Sequence, residues 1–361
     1  MWKRYKKFKE LIEKTSRFSE LEKKVEKLLK KQDKVNGLGK LLATVNRLAE
    51  LGPKVDCGLQ MAADPIKQMT RVRNLTHSPE EAFLGKMHPP DNKLLKVELF
   101  DGANIEVKIA SLAHNDKFPI PATIDREGYF GIHHFKYWES GLVDYLKIDH
   151  VRSLYFGDRP VTLLDLGCAT GRFLRHPAAQ DSGWTLIGCD IDEMNIDWIK
   201  RHMPSVGTVF QNTVFPHLPL PDNSVDIITA FSVFTHVDKL EDSWLLELKR
   251  ILRPGGILYL TVHTEEVWDT APQRQHFVDA IMKCRSEWSL PKGLVIDSTL
   301  FEKPMPDYAV LRFESAGSYV SQTFHSRRHI ERNWSRILTV EGIHVRYHID
   351  FQTVVVMRKP Q

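Results

Sequence analysis

Val161-Thr-Leu-Leu-Asp-Leu-Gly-Cys-Ala-Thr-Gly171 is an apolar run that breaks into two glycines. Such a run, bounded by a turn signal, predicts a buried strand over 161–166 followed by a tight turn. Gly167 and Gly171 let the backbone adopt positive φ and approach a ligand closely. A helix expected to start near Arg172-Phe173-Leu174 would turn its free N–H groups and positive dipole end toward that ligand. The spacing rejects two common alternatives. A G-x-G-x-x-G dinucleotide fingerprint begun at Gly167 needs glycine at 169 and 172, where the chain has Ala169 and Arg172. No G-x-x-x-x-G-K-S/T loop occurs either.

Downstream of this turn, short apolar strands alternate with helical stretches, the signature of an α/β fold with a parallel sheet. The strand candidates are 161–166, 185–189, 208–211, 225–230 and 257–262. Two more, 338–347 and 353–358, have no helix between them. They must pair antiparallel, because a parallel connection needs a crossover of about a dozen residues. Asp190 ends the second strand, 19 residues beyond Gly171, where a carboxylate can accept hydrogen bonds from both hydroxyls of a ribose. Asp192, followed by Glu193, reads instead as the start of the next helix.

Four segments occur in order and at matching intervals: Asp165-Leu-Gly-Cys-Ala-Thr-Gly171, Gly188-Cys-Asp-Ile-Asp192, Leu218-Pro-Leu-Pro-Asp-Asn-Ser-Val-Asp226 and Leu252-Arg-Pro-Gly-Gly256. Together they resemble the motif set of class I S-adenosylmethionine-dependent methyltransferases of the small-molecule, type 11/12-like bacterial kind. Ser232-Val-Phe-Thr-His-Val237, Thr261-Val-His263, Thr323-Phe-His-Ser326, His329-Ile-Glu-Arg-Asn-Trp334 and Phe351-Gln-Thr-Val-Val-Val356 resemble members often associated with glycan or sugar-nucleotide pathways. The resemblance covers roughly residues 127–361. It implies a Rossmann-like seven-stranded sheet with an antiparallel last strand, and S-adenosyl-L-methionine as cofactor. By position it implies Asp165, Gly167, Cys168 (through its backbone) and Gly171 around the methionine part. Asp190 and Ile191 would hold ribose and adenine, Gln211 or Asn212 would lie near the adenine edge, and Phe231 against the sulfonium. Ala169 departs from the glycine usual in the family, but a small side chain still clears the ligand. Asp226 is expected to be structural.

Methyl transfer from a sulfonium needs positioning and exclusion of water, and a base only where the acceptor must lose a proton. The candidate bases are His263, His236 and His325, near the carboxyl ends of strands, where ligands bind in open α/β sheets. His133-His134 is a further candidate for the acceptor pocket. No histidine pair combines H-x-x-x-H or facial-triad spacing with a carboxylate in one motif, so no metal is expected. The N/D-P-P-Y tetrapeptide of amino-methylating nucleic-acid enzymes is absent, and Phe231-Ser-Val-Phe stands in its place. That favours a hydroxyl or carboxylate acceptor. The long stretch after His263, with a helix expected over 276–288 and Pro291, Pro304 and Pro306, reads as an acceptor lid.

Three segments follow: 1–52, basic amphipathic and coiled-coil-like helices; 53–126, a linker with a β-hairpin (94–100 and 105–109); and 127–361, the methyltransferase domain with lid parts 127–155 and 264–325. Residues 1–50 carry 15 Lys/Arg against 7 Asp/Glu, a net +8, so the other 311 residues sum to −4. A mildly acidic body is a poor match for a nucleic-acid backbone. The basic arm suits a homo-oligomer contact or a peripheral membrane surface. Four scattered cysteines with no C-x-x-C pair, no signal-peptide pattern and no spanning apolar stretch fit a cytoplasmic protein. The expected acceptor is a small molecule or glycan precursor. The alternatives are an RNA or protein methyltransferase using the basic arm, and a cofactor-binding scaffold without turnover.

Overall fold

The computed structural model describes residues 93–126, 129–238, 240–274, 278, 284–285, 299–313, 321–349 and 351–361, all within the unit Lys67–Gln361. The basic arm and its coiled-coil expectation lie outside the described residues.

The elements run in this order: β1 (Leu94–Glu98), β2 (Asn104–Lys108), α1 (Ile109–Asn115), α2 (His134–Phe156), β3 (Thr162–Leu166), α3 (Arg175–Ala179), β4 (Thr185–Asp190), α4 (Glu193–His202), β5 (Thr208–Gln211), β6 (Val225–Ala230), α5 (Glu241–Ile251), β7 (Leu252–Val262), α6 (Glu265–Thr270), β8 (Cys284–Arg285), β9 (Tyr308–Phe313), β10 (Ser321–His325), α7 (Arg327–Asn333), β11 (Thr339–His348) and β12 (Gln352–Arg358). The main sheet has seven strands in the order β11-β12-β7-β6-β3-β4-β5. β3 pairs parallel with β4 and β6, β4 with β5, and β6 with β7. β12 pairs antiparallel with both β7 and β11. The hairpin β1–β2 is antiparallel, with Leu94 opposite Lys108.

The side-chain period of two divides the apolar residues between the sheet's faces. Leu164, Ile228 and Leu258 join Trp244, Leu245, Leu248 and Trp334 on one face. Their chain neighbours Leu163, Ile227 and Ile257 join Ile148, Val151, Trp198 and Ile199 on the other. Burial on both faces explains why β6, Val-Asp-Ile-Ile-Thr-Ala, is buried at every position. Its one carboxylate, Asp226, accepts from Arg159 Nη2 at 2.8 Å, Arg253 Nη1 at 2.5 Å and the Thr162 amide at 2.8 Å. That is the structural role expected of it.

Two expectations are corrected. The helix after the glycine turn begins at Arg175, not Arg172, and has five residues. Residues 171–174 form turns, and Pro177 sits where a longer helix would need a donor. The helix expected over 276–288 is interrupted, because Cys284–Arg285 is a strand paired with β9. The insertion 264–325 carries a three-stranded antiparallel sheet, β10-β9-β8, over an apolar cluster of its own that includes Val267, Trp268, Leu300, Phe301 and Phe324.

Helix α2 seats the glycine turn. A Cβ on Gly141 would lie 2.1 Å from the Arg172 carbonyl oxygen and 2.9 Å from His176 Nε2, so only glycine permits this approach. Gly141→Ala is expected to destabilise the fold by about 2–3 kcal/mol, read as a lower urea midpoint; an unchanged midpoint refutes the close contact.

Candidate active site

The turn after β3 takes positive φ at Gly167 (+75°), Ala169 (+45°) and Gly171 (+76°). A Cβ on Gly167 would strike Val233 Cγ2 at 2.4 Å. The turn is closed onto β4 by hydrogen bonds. The Gly167 and Cys168 amides both donate to the Cys189 carbonyl, at 2.8 and 3.0 Å, and the Ala169 amide donates to Asp190 Oδ2 at 2.8 Å. The Cys168 amide, expected to face a ligand, is therefore engaged within the turn. What the turn offers instead is its surface and the carboxylate beside it.

Asp190 Oδ1 accepts from the Asp192 amide at 2.8 Å and from Asn195 Nδ2 at 3.4 Å. Each oxygen of a carboxylate has more than one acceptor site, so Asp190 can also accept a hydroxyl pair. Burial raises its pKa, while the two amide bonds oppose that rise. Asp192 caps α4, accepting from the Met194 amide at 2.8 Å. Asp165 lies behind the turn, accepting from Thr229 Oγ1 at 2.8 Å. Burial, with Thr229 and Arg172 working against it, pushes its pKa up to about 7.

Past β4, Ile191 is 42% exposed, an apolar side chain left open next to a buried carboxylate. Gln211 holds this loop, its Nε2 donating to the Ile191 carbonyl at 3.0 Å. The Asn212 amide donates to the Asp190 carbonyl at 3.0 Å, and its Nδ2 to the Thr213 carbonyl at 3.1 Å. Asn212 Oδ1 is buried with no hydrogen-bond partner. An orphaned buried acceptor costs about 1–3 kcal/mol and calls for a donor. A carboxylate for a diol, an open apolar face and an unmet acceptor for an N–H fit an adenosine.

Phe231 leaves the end of β6 with its ring 5.4 Å from Phe173, 5.8 Å from Tyr259 and stacked at 5.2 Å on His348. The Arg172 guanidinium lies 5.8 Å from the same ring and pairs with Asp144 at 2.7 Å. Asp144 also meets His348 Nδ1 at 3.1 Å. Burial raises the Asp144 pKa, but His348 and Arg172 together hold it well below the usual carboxylate range.

The three candidate histidines, spread over 90 residues of sequence, converge on β10. His236 Nδ1 donates to the Ser321 carbonyl at 2.7 Å, and Ser321 Oγ returns a bond to the His236 carbonyl at 2.7 Å. The Thr323 amide reaches the Thr235 carbonyl at 2.7 Å, and the His325 amide the His263 carbonyl at 2.9 Å. Their surroundings differ. His236 is half-buried, and desolvation lowers its pKa to about 4. His263 is buried, its ring between Phe324 and Phe351, and desolvation depresses it strongly. His325 is fully buried, with Nε2 donating to Glu241 Oε2 at 2.7 Å. His329 Nε2 donates to the other oxygen, Oε1, at 2.7 Å. Burial raises the Glu241 pKa, but the two imidazoles bring it down to about 2. Sequence reasoning missed Glu241 and His329. The four-residue spacing of His325 and His329 was the available signal, and their carboxylate lies more than 80 residues away. His134, considered for the acceptor pocket, accepts from Arg126 Nη2 at 3.0 Å. Among the described residues no group of three or more His, Cys, Asp or Glu side chains is arranged so that it could hold a metal ion, and no helix is long and apolar enough to cross a membrane.

Residues 164–260 match the family described as methyltransferase domain. The chain is 32% identical over 100 residues to a probable S-adenosylmethionine-dependent methyltransferase of Mycolicibacterium smegmatis, covering 27% of this chain and 37% of that one. It is 32% identical over 114 residues to a malonyl-acyl-carrier-protein O-methyltransferase of Methylococcus capsulatus, covering 31% and 40%. It is 29% identical over 143 residues to a sterol 24-C-methyltransferase of Pneumocystis carinii, covering 37% of each chain. The matches thus span about two fifths of the length of these relatives.

Two substitutions test this geometry. A left-handed alanine is strained by about 1–2 kcal/mol, against glycine's entropic cost of roughly 0.5–1. Ala169→Gly should therefore raise stability by up to about 1 kcal/mol in urea unfolding, and a loss contradicts the positive φ. For Asp165, the folded pKa of about 7 lies above that of an unfolded aspartate, so ionisation between about pH 4 and 7 opposes folding. Asp165→Asn removes that penalty. Relative to the wild type it should gain on the order of 2–4 kcal/mol as pH rises through that window and remain level above it. A difference independent of pH rejects the raised pKa.

Proposed function

We propose that this chain, which carries a class I S-adenosylmethionine-dependent methyltransferase domain, methylates a hydroxyl oxygen on a small polar acceptor of the sugar or glycan-precursor kind. The observation that carries the acceptor chemistry is His236. It stands just past the carboxyl end of β6, and its Nδ1–H is committed to the Ser321 carbonyl. That bond selects the tautomer whose lone pair lies on Nε2. With a pKa of about 4 the ring is unprotonated at neutral pH, the state a proton acceptor requires. A base in this place is of use to an acceptor that gives up a proton as its new bond to carbon forms.

When bound, S-adenosylmethionine supplies a methyl group on a positively charged sulfur, activated for in-line displacement. The chain's residues do the rest. Asp190 takes the ribose hydroxyls, Asn212 Oδ1 the adenine amine, and Ile191 covers the base. Phe231, packed among Phe173, Tyr259 and His348, excludes water from the reacting centre. Beside it the acceptor side is polar. Ser232 sits at φ +57°, and Ser232 Oγ and Thr261 Oγ1 both donate to Gln352 Oε1, at 3.0 and 2.7 Å. His236 Nε2 receives the acceptor proton. The oxygen acceptor named for the malonyl-acyl-carrier-protein relative supports an oxygen target.

Calorimetry with S-adenosylhomocysteine should show Asp190→Ala weakening affinity by about 100-fold, two charge-assisted hydrogen bonds' worth. Transfer of labelled methyl to fractionated extract should show His236→Gln lowering kcat about 100-fold or more, with S-adenosylhomocysteine affinity within twofold of the wild type. Full turnover by His236→Gln removes the base, and label found on nucleic acid or protein instead of a small hydroxylated product removes the acceptor class.

A further inference from the structure

Gln352 is the first residue of β12, and its neighbours fix which way its carboxamide faces. Its Oε1 accepts from Thr261 Oγ1 at 2.7 Å and from Ser232 Oγ at 3.0 Å. Thr261 Oγ1 itself accepts from the Ser232 amide at 2.7 Å, so the Thr261 proton is directed at Gln352. A carboxamide oxygen has two lone pairs, and here both are engaged. Turning the amide end for end would set N–H donors against two hydroxyls whose protons would then lack this acceptor. Nε2, with its two donors, therefore faces away from the hydroxyl pair. It donates to no described residue, and it is not among the polar atoms sealed from solvent.

Strand register puts this donor beside Phe231. His348 and Gln352 lie opposite each other where β11 and β12 meet, and opposite residues of an antiparallel pair share a face. The His348 ring stacks on Phe231 at 5.2 Å, and Ser232, bonded to Gln352, is the next residue along the chain. Thr261, bonded to the same oxygen, is near the end of β7, and the ring of Phe351, next to Gln352, lies 6.0 Å from His263. The ends of β6 and β7 and both sides of the β11–β12 turn thus meet at one carboxamide. Open α/β sheets bind ligands beyond the carboxyl ends of such strands. A fixed N–H pair with no acceptor in the protein calls for a lone pair on a ligand. A sugar-like acceptor offers one on each ring or hydroxyl oxygen beside the hydroxyl that reacts; a simple alcohol does not.

We propose that Gln352 is a specificity-determining residue for the methyl acceptor, its Nε2 donating to a ring, ether or hydroxyl oxygen next to the hydroxyl that is methylated. This rests on the acceptor reading given above and narrows it to a hydroxyl flanked by a second oxygen. Ser232 and Thr261 hold the carboxamide so that its donors, and not its oxygen, meet the ligand. An acceptor without the second oxygen excludes water from Nε2 and returns no hydrogen bond, which is how a polar group in a site rejects an analogue.

The test compares two probes that differ in one group. 3-Hydroxytetrahydropyran is cyclohexanol with a ring CH2 replaced by oxygen, which accepts a hydrogen bond and cannot donate one. Each is added as a competitor to labelled-methyl transfer by the full chain into the small-molecule fraction of a cell extract. The wild type should be inhibited more strongly by 3-hydroxytetrahydropyran. Gln352→Glu keeps an oxygen for Ser232 and Thr261 but has no N–H, and it should shift the ratio of the two inhibition constants about tenfold toward cyclohexanol, one hydrogen bond's worth. Gln352→Met, which adds no charge, should shift the ratio the same way. Calorimetry with S-adenosylhomocysteine should stay within twofold of the wild type in both variants, which reports an intact donor side. A ratio unchanged by both substitutions, or a wild type that neither probe inhibits, overturns the proposal. Loss of S-adenosylhomocysteine binding in both variants overturns it in favour of a packing role. A wild type that labels no small hydroxylated product defeats the acceptor reading itself, a result seen before any probe is added.

Discussion

The carboxylate of Asp190 holds the candidate site together. One oxygen takes the Ala169 amide and the other the Asp192 amide, so a single side chain links the turn after β3 to the start of α4. Ala169 makes this bond from the left-handed region, at φ +45°, a conformation that strains any side chain beyond glycine. With the Gly167 and Cys168 amides spent on the Cys189 carbonyl, the turn becomes a closed surface. A ligand at this site is held by side chains standing around a rigid loop rather than by a ring of free amides. The five-residue α3 contributes little dipole, and this shifts the burden of recognition further onto charged and polar side chains.

The insertion after β7 is tied to the segment after β6 and to the end of β7 through backbone pairing. β10 bonds to Thr235 and His263 through its amides, and the Glu241 carboxylate at the head of α5 receives an imidazole from each end of the β10–α7 connection. Because both imidazoles donate to one ionised carboxylate, the arrangement is strongest when Glu241 is charged, as its lowered pKa indicates. His325 and His263 are consequently built into the packing. His236 is only half-buried. The same strand takes the His236 Nδ1–H on its Ser321 carbonyl, so one strand fixes the surroundings of all three histidines.

The strands of the main sheet were legible in the sequence because buried parallel strands are short apolar runs, and five of them stand between clear turn signals. The antiparallel final pair followed from the missing crossover. The strand ends beside Asp190, Ile191 and Asn212 were legible too, since periodicity locates β4 and β5; Ile191 and Asn212 themselves were singled out by the family resemblance. The rest depends on contacts distant in sequence. Nothing local in Asp116, Arg126 or Asp144 distinguishes them from surface charges, and only the fold buries them beside residues 170–175. The helix after the glycine turn was misplaced for a related reason. The turns that precede it are held by tertiary contacts from α2, with Gly141 lying against the Arg172 carbonyl, and no propensity records that.

These long-range contacts also explain why the site is larger than the segment 164–260 that matches the methyltransferase domain. Arg172 and Arg175 lie inside that segment, but their carboxylates, Asp144 and Asp116, lie before it. His348 and Gln352, which support Phe231 and Ser232, lie after it. Removing one partner of a buried ion pair costs about 3–5 kcal/mol, a large part of the 5–15 kcal/mol by which a typical domain is stable. The flanking segments are therefore part of the candidate site in an energetic sense, because they supply the countercharges that allow arginines to be buried beside the glycine turn. Arg126 comes from the same upstream segment and is likewise buried, against the Tyr137 ring.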